Sequence, residues 1–416
     1  ESWGLLPPSR RKRLIRLNNA FKSFLSDEQN IFEGLNIRYF GPYDGHDVIS
    51  LVRLLRALRP MTGPRLLHIK TVKGKGYDRA ESDPVVWHAP GKFDCEAGVR
   101  LVAPPAGDTP PKFQDVFGET LVELARANDR IVGVTPAMLT GCSMHLMQRA
   151  FPERTFDVGI AEEQATAMIS GMAKGGLRPV WTVTSTFIQR AYDQIAQDLC
   201  INANPAVINV MYGGAGVMND ITHICLFDIP MLCSIPGLVY LAPTTCEEYF
   251  AMLRWAVRQD KCPVALRVPS NGVHHTAEPV EEQYAYVPQY QVVHRGKKVA
   301  VIAAGSFFQK GENVVRLLAQ KGIDATLINP RYLHAVDVDT LNALKADHSL
   351  VVTLEDGCTD GGFGQRIAAF YGPTDMKVWV GGIKKDLYDR FDLQKLLADN
   401  HLLDEQIVEQ VLKLVD

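Results

Sequence analysis

From Lys112 onward, short runs rich in β-branched residues alternate with segments whose apolar residues recur at helical spacing. RIVGVTP, TFDVGI, RPVWTVT, PAVINVM, GLVYLAP and PVALRVP read as buried strands, and FQDVFGETLVELARAN, EEQATAMISGMAKG, FIQRAYDQIAQDL and TCEEYFAMLRWAVRQD as the helices between them. Strands that are apolar on both faces need cover on both sides, so this alternation predicts an α/β fold built on a parallel sheet with helices on each face.

The polar, proline-bearing stretch HHTAEPVEEQYAYVPQY interrupts the pattern near Ala277 to Tyr290 and reads as a linker. Beyond it KKVAVIAAGS, DATLINPRYL, HSLVVTLEDG and MKVWVGG repeat the strand theme around helical segments such as GENVVRLLAQKG. The expected organisation is therefore a first part over residues 1–111, a domain over 112–276 and a smaller α/β domain over 290–416. The first part has a basic amphipathic helix in RKRLIRLNNAFKSFL, a strand in PRLLHIKTV, a loop KGKGYDRAESDP and an irregular run WHAPGKFDCEAG. Proline-rich APPAGDTPPK joins it to the rest.

A net charge of -3 offers nucleic acid no general attraction, and no apolar run approaches the length of a membrane span. The expectation is a soluble, cytoplasmic protein that binds neither nucleic acid nor membrane. The eight cysteines show no CxxC spacing and sit in apolar contexts such as THICLF and PMLCSIP, so they read as buried free thiols rather than disulfides or zinc ligands. In SMHLMQRAF, Met144 and Met147 read as core and His145 as a surface or satisfied histidine. GGAG at Gly213 to Gly216 and GGFG at Gly361 to Gly364 lack the spacing of a nucleotide-binding turn.

Ligands of a parallel α/β sheet sit beyond the carboxyl ends of its strands, which selects few residues. After FDVGI come Glu162 and Glu163; after RPVWTV come Ser185, Phe187 and Arg190; past PAVINVM comes YGGAGVMNDITH with His223. The strand LLHIKTV delivers Lys73, Lys75 and Tyr77, with His88 further on. Acids in a first helical turn ordinarily serve the helix dipole. Glu162, however, shares a face with Ala165, Ile169 and Met172, whereas Glu163 lines up with Thr166, Ser170 and Lys174. Glu162 should point inward and Glu163 outward, and an inward carboxylate is costly unless a partner or ligand uses it.

NIRYFGPYDGHD, HIKTVKGKGYDRAE, WHAPGKFD, FDVGIAEEQA and STFIQRAYDQ together resemble the 1-deoxy-D-xylulose-5-phosphate synthase family of the transketolase superfamily, in one collinear order over nearly the whole chain. The resemblance implies a pyrimidine-binding domain plus a C-terminal transketolase-like domain, with a remnant of the N-terminal domain. It also implies thiamine diphosphate as cofactor, pyruvate and glyceraldehyde 3-phosphate as substrates, CO2 release, isoprenoid and thiamine synthesis as setting, and a homodimer.

By the same resemblance Glu162 is the catalytic glutamate that hydrogen-bonds the cofactor's aminopyrimidine. Phe187 stacks on that ring, Lys73 and Tyr77 lie beside the cofactor, and Ser185, Arg190, His88 and His223 line the substrate channel, with both histidines suited to proton transfer. Three departures are visible. No GDG occurs in the 416 residues, so ligands for Mg2+ and the diphosphate are expected outside this chain, upstream or on a separate GDG-bearing subunit, and no metal ligand is assigned within it. Tyr212 and Ser270 stand where the resemblance expects phosphate-binding arginines, while Arg267 is kept. Gln164 and Asn219 replace a histidine and an aspartate. A synthase, a divergent subunit with a different acceptor and a non-catalytic paralogue are all compatible with these residues.

Overall fold

The computed structural model describes residues 31–88, 90–101, 112–216 and 218–415. The expected helix within RKRLIRLNNAFKSFL and most of the proline-rich bridge lie outside these residues. Two compact units divide at Gly107/Asp108, and each is described by itself.

In the first unit, strands β1 (Arg38–Asp44) and β2 (Arg65–Lys70) pair in parallel across helix α1 (Val48–Leu58). Asp47 caps α1 through a 3.0 Å bond from the Ser50 amide. Sequence patterning found β2 but not β1, because the Gly-Pro within RYFGPYD reads locally as a turn. The loop expected over KGKGYDRAESDP contains a short helix, Asp78–Ser82, and a hairpin of β3 (Phe93–Asp94) and β4 (Val99–Arg100) follows.

The second unit opens with helix α2 (Phe113–Ala127) and six parallel strands: β5 (Ile131–Thr135), β6 (Thr155–Asp157), β7 (Arg178–Thr184), β8 (Val207–Met211), β9 (Val239–Leu241) and β10 (Val264–Arg267). Their order is β6-β5-β7-β8-β10-β9. From β5 the chain steps outward to β6 and then returns to the far side of β5 as β7, so the strand order reverses there, and the crevice beyond the two carboxyl ends is where sheets of this kind bind ligands. Helix α3 (Glu162–Lys174) enters at that point from β6. The expected helix over FIQRAYDQIAQDL exists, but as a 3-10 turn (Phe187–Ala191), one helical turn and a π segment (Ile195–Cys200). Helix α4 (Cys246–Arg258) lies between β9 and β10 in the chain.

The last five strands, β11 (Gln291–His294), β12 (Lys298–Ala303), β13 (Thr326–Asn329), β14 (His348–Cys358) and β15 (Lys377–Ile383), form a mixed sheet ordered β11-β13-β12-β14-β15, with only β11 antiparallel. Segment 268–290 holds no helix or strand, yet it is laid down firmly, with Tyr284 and Tyr290 buried and the Tyr290 amide donating to Asp337 at 2.7 Å.

Alternate residues of the parallel strands enter different cores, as their period demands. Val180, Val207 and Val264 join Phe117, Leu121 and Tyr249 on one face, whereas Trp181, Val183, Ile208 and Ala265 join Ala165 and Ile169 of α3 on the other. That second core does not stop at the sheet, for it continues through Ile229 and Leu232 to Ile302, Ile328 and Val351 of the mixed sheet. Buried polar groups cross the same seam: Arg267 at the end of β10 donates to Asp228 at 2.6 Å and also to Asp356 of β14, and Asn329 of β13 donates to Glu248 of α4 at 3.1 Å. Among the described residues no helix is long and apolar enough to cross a membrane.

Candidate active site

The turn from β6 into α3 is built by Asp157, whose Oδ1 accepts the amides of Gly159 at 3.0 Å and of Ala137 at 2.8 Å. One carboxylate thus fixes the loops leaving both β5 and β6, and Gly159 takes the left-handed φ of +73° that the tight turn requires. Sequence reasoning missed this role, although the Asp-x-Gly signature at a strand end was legible.

Glu162 is the first residue of α3 and is only 1 % exposed, while Glu163 is exposed. The inward and outward assignment therefore holds for the pair, but not for the whole stripe. Thr166 and Ser170 are buried because they bond to nearby carbonyls, Thr166 to Glu162 O at 3.0 Å and Ser170 to Asp198 O at 2.8 Å. A hydroxyl that finds a local acceptor can sit inside a helix contact at little cost.

Arg190 Nη1 donates to Glu162 Oε1 at 2.6 Å, and Glu162 Oε2 is buried with no partner among the described residues. The same guanidinium lies 5.3 Å from the Phe187 ring centre, and Phe187 meets His223 edge-on with centroids 5.3 Å apart. Thr222 Oγ1 lies 2.8 Å from His223 Nδ1, and Asp220 Oδ1 lies 3.5 Å away. Hydrogen bonds from the Thr222 hydroxyl and amide, with His223 adding, hold the Asp220 carboxyl below its ordinary range. Glu162, Phe187, Arg190 and His223 thus form one cluster at the crevice. Ser185, just past the end of β7, is buried, its Oγ without a partner among the described residues.

Lys73, Tyr77 and His88 belong to the first unit. Lys73 and His88 are exposed; Tyr77 packs edge-on against Trp87 at 5.2 Å and beside Phe93 at 5.9 Å, its buried hydroxyl without a partner among the described residues. His145, expected to be exposed or satisfied, is half-buried with no partner for Nδ1 among the described residues. The cysteines are free, with Cys95 exposed.

The glycine-rich runs have structural causes. A Cβ at Gly214 (φ +97°) would collide with the Asp356 carboxylate, and one at Gly362 would stand 2.7 Å from the Glu355 carboxylate. Glu355 in turn accepts the amides of Phe363 at 3.0 Å and Gly364 at 2.8 Å, so GGFG is a cradle for this side chain.

Tyr212, in the left-handed region at φ +62°, donates to Gly141 O at 2.5 Å and lies against Gln114. Ser270 Oγ lies 3.4 Å from Ser306 and 3.3 Å from Asp356. Both residues line a cleft of about 250 Å3 with Gln114, Met211 and Gly216, where Lys112 is the only cation among the described lining residues. Gln164 and Asn219 are exposed, and Asn219 donates to Phe391 O at 3.2 Å.

Three family models match this chain: "Transketolase, pyrimidine binding domain" over residues 109–274, "Transketolase, C-terminal domain" over 289–383 and "1-deoxy-D-xylulose-5-phosphate synthase" over 5–71. It is 42% identical over 369 residues to the 1-deoxy-D-xylulose-5-phosphate synthase of Phocaeicola vulgatus, covering 88% of this chain and 58% of that protein. The chain has a transketolase-type fold and is similar to the 1-deoxy-D-xylulose-5-phosphate synthases.

The synthase of Bacteroides thetaiotaomicron is similarly close, 42% identical over 385 residues, covering 91% of this chain and 59% of that protein. The chain thus spans a little under three fifths of the length of these two curated relatives. Its fold matches that of a split-gene transketolase crystallised as an inactive β4 tetramer, with TM-score 0.64 and 24% identity over 73% of this chain and 98% of that one. It also matches a transketolase from Pichia stipitis, with TM-score 0.60 and 13% identity over 74% and 46%.

Proposed function

We propose that this chain forms the aminopyrimidine side of a thiamine-diphosphate-dependent transferase that joins pyruvate to glyceraldehyde 3-phosphate, giving 1-deoxy-D-xylulose 5-phosphate and CO2. The observation that carries this reading is the buried, unpartnered Oε2 of Glu162 beside the half-buried ring of Phe187, in the crevice where the strand order reverses. An orphaned buried oxygen is costly and calls for a hydrogen-bonding ligand. A flat heteroaromatic ring with a nitrogen at its edge fits both groups.

When bound, thiamine diphosphate supplies the carbon nucleophile that attacks the 2-oxoacid. Glu162 Oε2 holds a proton at the ring nitrogen, Phe187 covers one ring face, and Arg190 neutralises the other carboxylate oxygen. His223, with Nδ1 engaged by Thr222, keeps its other ring nitrogen for proton exchange with the substrate. Lys73, Tyr77 and His88 of the first unit are assigned roles in cofactor binding and catalysis by the family likeness, the orphaned Tyr77 hydroxyl supporting its part. Ligands for Mg2+ and the diphosphate are assigned outside this chain, on an upstream segment or a separate GDG-bearing polypeptide, and the assembly is assigned as a cytoplasmic homodimer of such units.

A second reading, with an acceptor that lacks phosphate, is favoured by the cleft at Tyr212. Both Tyr212 and Ser270 are committed to internal bonds, and Arg267 is consumed by Asp228 and Asp356, so charge-assisted phosphate binding there falls to Lys112 alone.

The test is CO2 release from pyruvate with thiamine diphosphate and Mg2+, by the chain alone and with a GDG-bearing partner, with and without glyceraldehyde 3-phosphate. The synthase reading expects release that the aldehyde phosphate accelerates. Release indifferent to it but accelerated by unphosphorylated aldehydes supports the second reading, and no cofactor binding in any combination refutes both.

A further inference from the structure

Away from the crevice, three side chains of different donor type converge where helix α4 begins. Cys246 and Glu247 occupy its first two positions, and His275 comes from the segment that leaves β10, 28 residues beyond Glu247 in the chain. One donor atom from each, a sulfur, a carboxylate oxygen and an imidazole nitrogen, lies within 4.8 Å of the other two. A first-row dication with bonds of about 2.0–2.3 Å holds its tetrahedral donors roughly 3–4 Å apart, so small side-chain adjustments close the shell.

Backbone hydrogen bonds tie the two segments that carry the trio. The Cys246 amide donates to His274 O at 2.8 Å, and the Thr276 amide donates to Glu247 Oε2 at 2.9 Å. The second carboxylate oxygen lies 2.8 Å from His275 Nδ1. Burial grades across the cluster, from a buried thiol through a half-buried carboxylate to an exposed imidazole, which leaves the outer side open to a water as fourth ligand.

We propose that Cys246, Glu247 and His275 form a binding site for a thiophilic divalent cation of the zinc class, which staples the start of α4 to segment 268–290. A sulfur and nitrogen donor set disfavours Mg2+ and Ca2+, which take oxygen. A bound dication would take the Cys246 sulfur as a thiolate and release its proton. Sequence spacing hides such a site because its ligands come from distant segments rather than from a CxxC pair.

The test is titration of the full chain with Co2+, reading the near-ultraviolet thiolate-to-cobalt charge-transfer band. The wild type should show a saturable band that Zn2+ displaces and Mg2+ does not. Cys246→Ser should abolish the band and weaken Zn2+ binding at least about 100-fold, whereas Cys95→Ser should leave both unchanged. His275→Ala, at an exposed position that puts folding at no risk, should reduce Zn2+ affinity at least about tenfold and shift the rise of the thermal midpoint with Zn2+ to correspondingly higher concentration. No band in the wild type, or a band that survives Cys246→Ser, overturns the proposal. None of these readouts depends on the catalytic reading.

Discussion

Arg190 donates a 2.6 Å bond to one oxygen of Glu162, and the other oxygen, buried, has no partner among the described residues. The first contact lets a carboxylate sit inside the crevice; the second atom gives it work to do.

Glu162→Gln keeps the shape and loses the acid. It should reduce CO2 release in the cofactor-loaded assembly by at least about 100-fold, the scale of a lost acid-base group. Glu163→Gln, at the exposed neighbour, should stay within about twofold of wild type. Equal losses in the two variants would refute the division of labour.

Arg267 is 3 % exposed and lies between two buried aspartates. Arg267→Met leaves both carboxylates without their cation and should cost about 3–5 kcal/mol in urea unfolding. A loss under about 1 kcal/mol would mean the aspartates find other partners.

Burial pushes the Glu355 carboxyl up from 4.5 to about 7, against the pull of the Phe363 and Gly364 amides. Between those values the folded state holds a proton that the unfolded state has released, so the contribution of Glu355 to stability falls as pH rises and levels off above about 7. At about 1.36 kcal/mol per pH unit the span is on the order of 3 kcal/mol. Carboxyls held low, such as Asp220 and Asp347, act with the opposite sign and at more acidic pH. Unfolding free energy measured from pH 4.5 to 8 should therefore show a decline that Glu355→Gln flattens; an unchanged slope in the variant would remove Glu355 as its source.

Two glycines should respond oppositely to alanine. Gly171 lies inside α3 with open space where an alanine methyl would stand, so Gly171→Ala should raise stability by about 0.5–1 kcal/mol. Gly214 combines a φ of +97° with a collision against Asp356, and Gly214→Ala should lower stability by at least about 1–3 kcal/mol. Thermal unfolding of both variants decides it.

Much of the architecture was legible because it is local. The parallel strands announced themselves as β-branched runs, and the inward turn of Glu162 followed from helix spacing. What escaped depends on partners far off in the chain. Nothing near Arg190 signals its bond to Glu162, and nothing in GGFG signals that Glu355 requires those glycines. Strand β1 was hidden by a Gly-Pro that local chemistry reads as a turn, and the buried faces of Thr166 and Ser170 by acceptors that hydropathy does not count. Family likeness supplied roles for Phe187 and His223 that no periodicity could give.

The apolar layer that runs from Trp181 through Ile229 to Ile302 and Val351 belongs to both sheets of the second unit at once. Its melting should be a single cooperative event seen alike by probes in either sheet. Two slabs that share one interior have no hinge plane between them, so the crevice ends of β6 and β7 keep a fixed position relative to the mixed sheet.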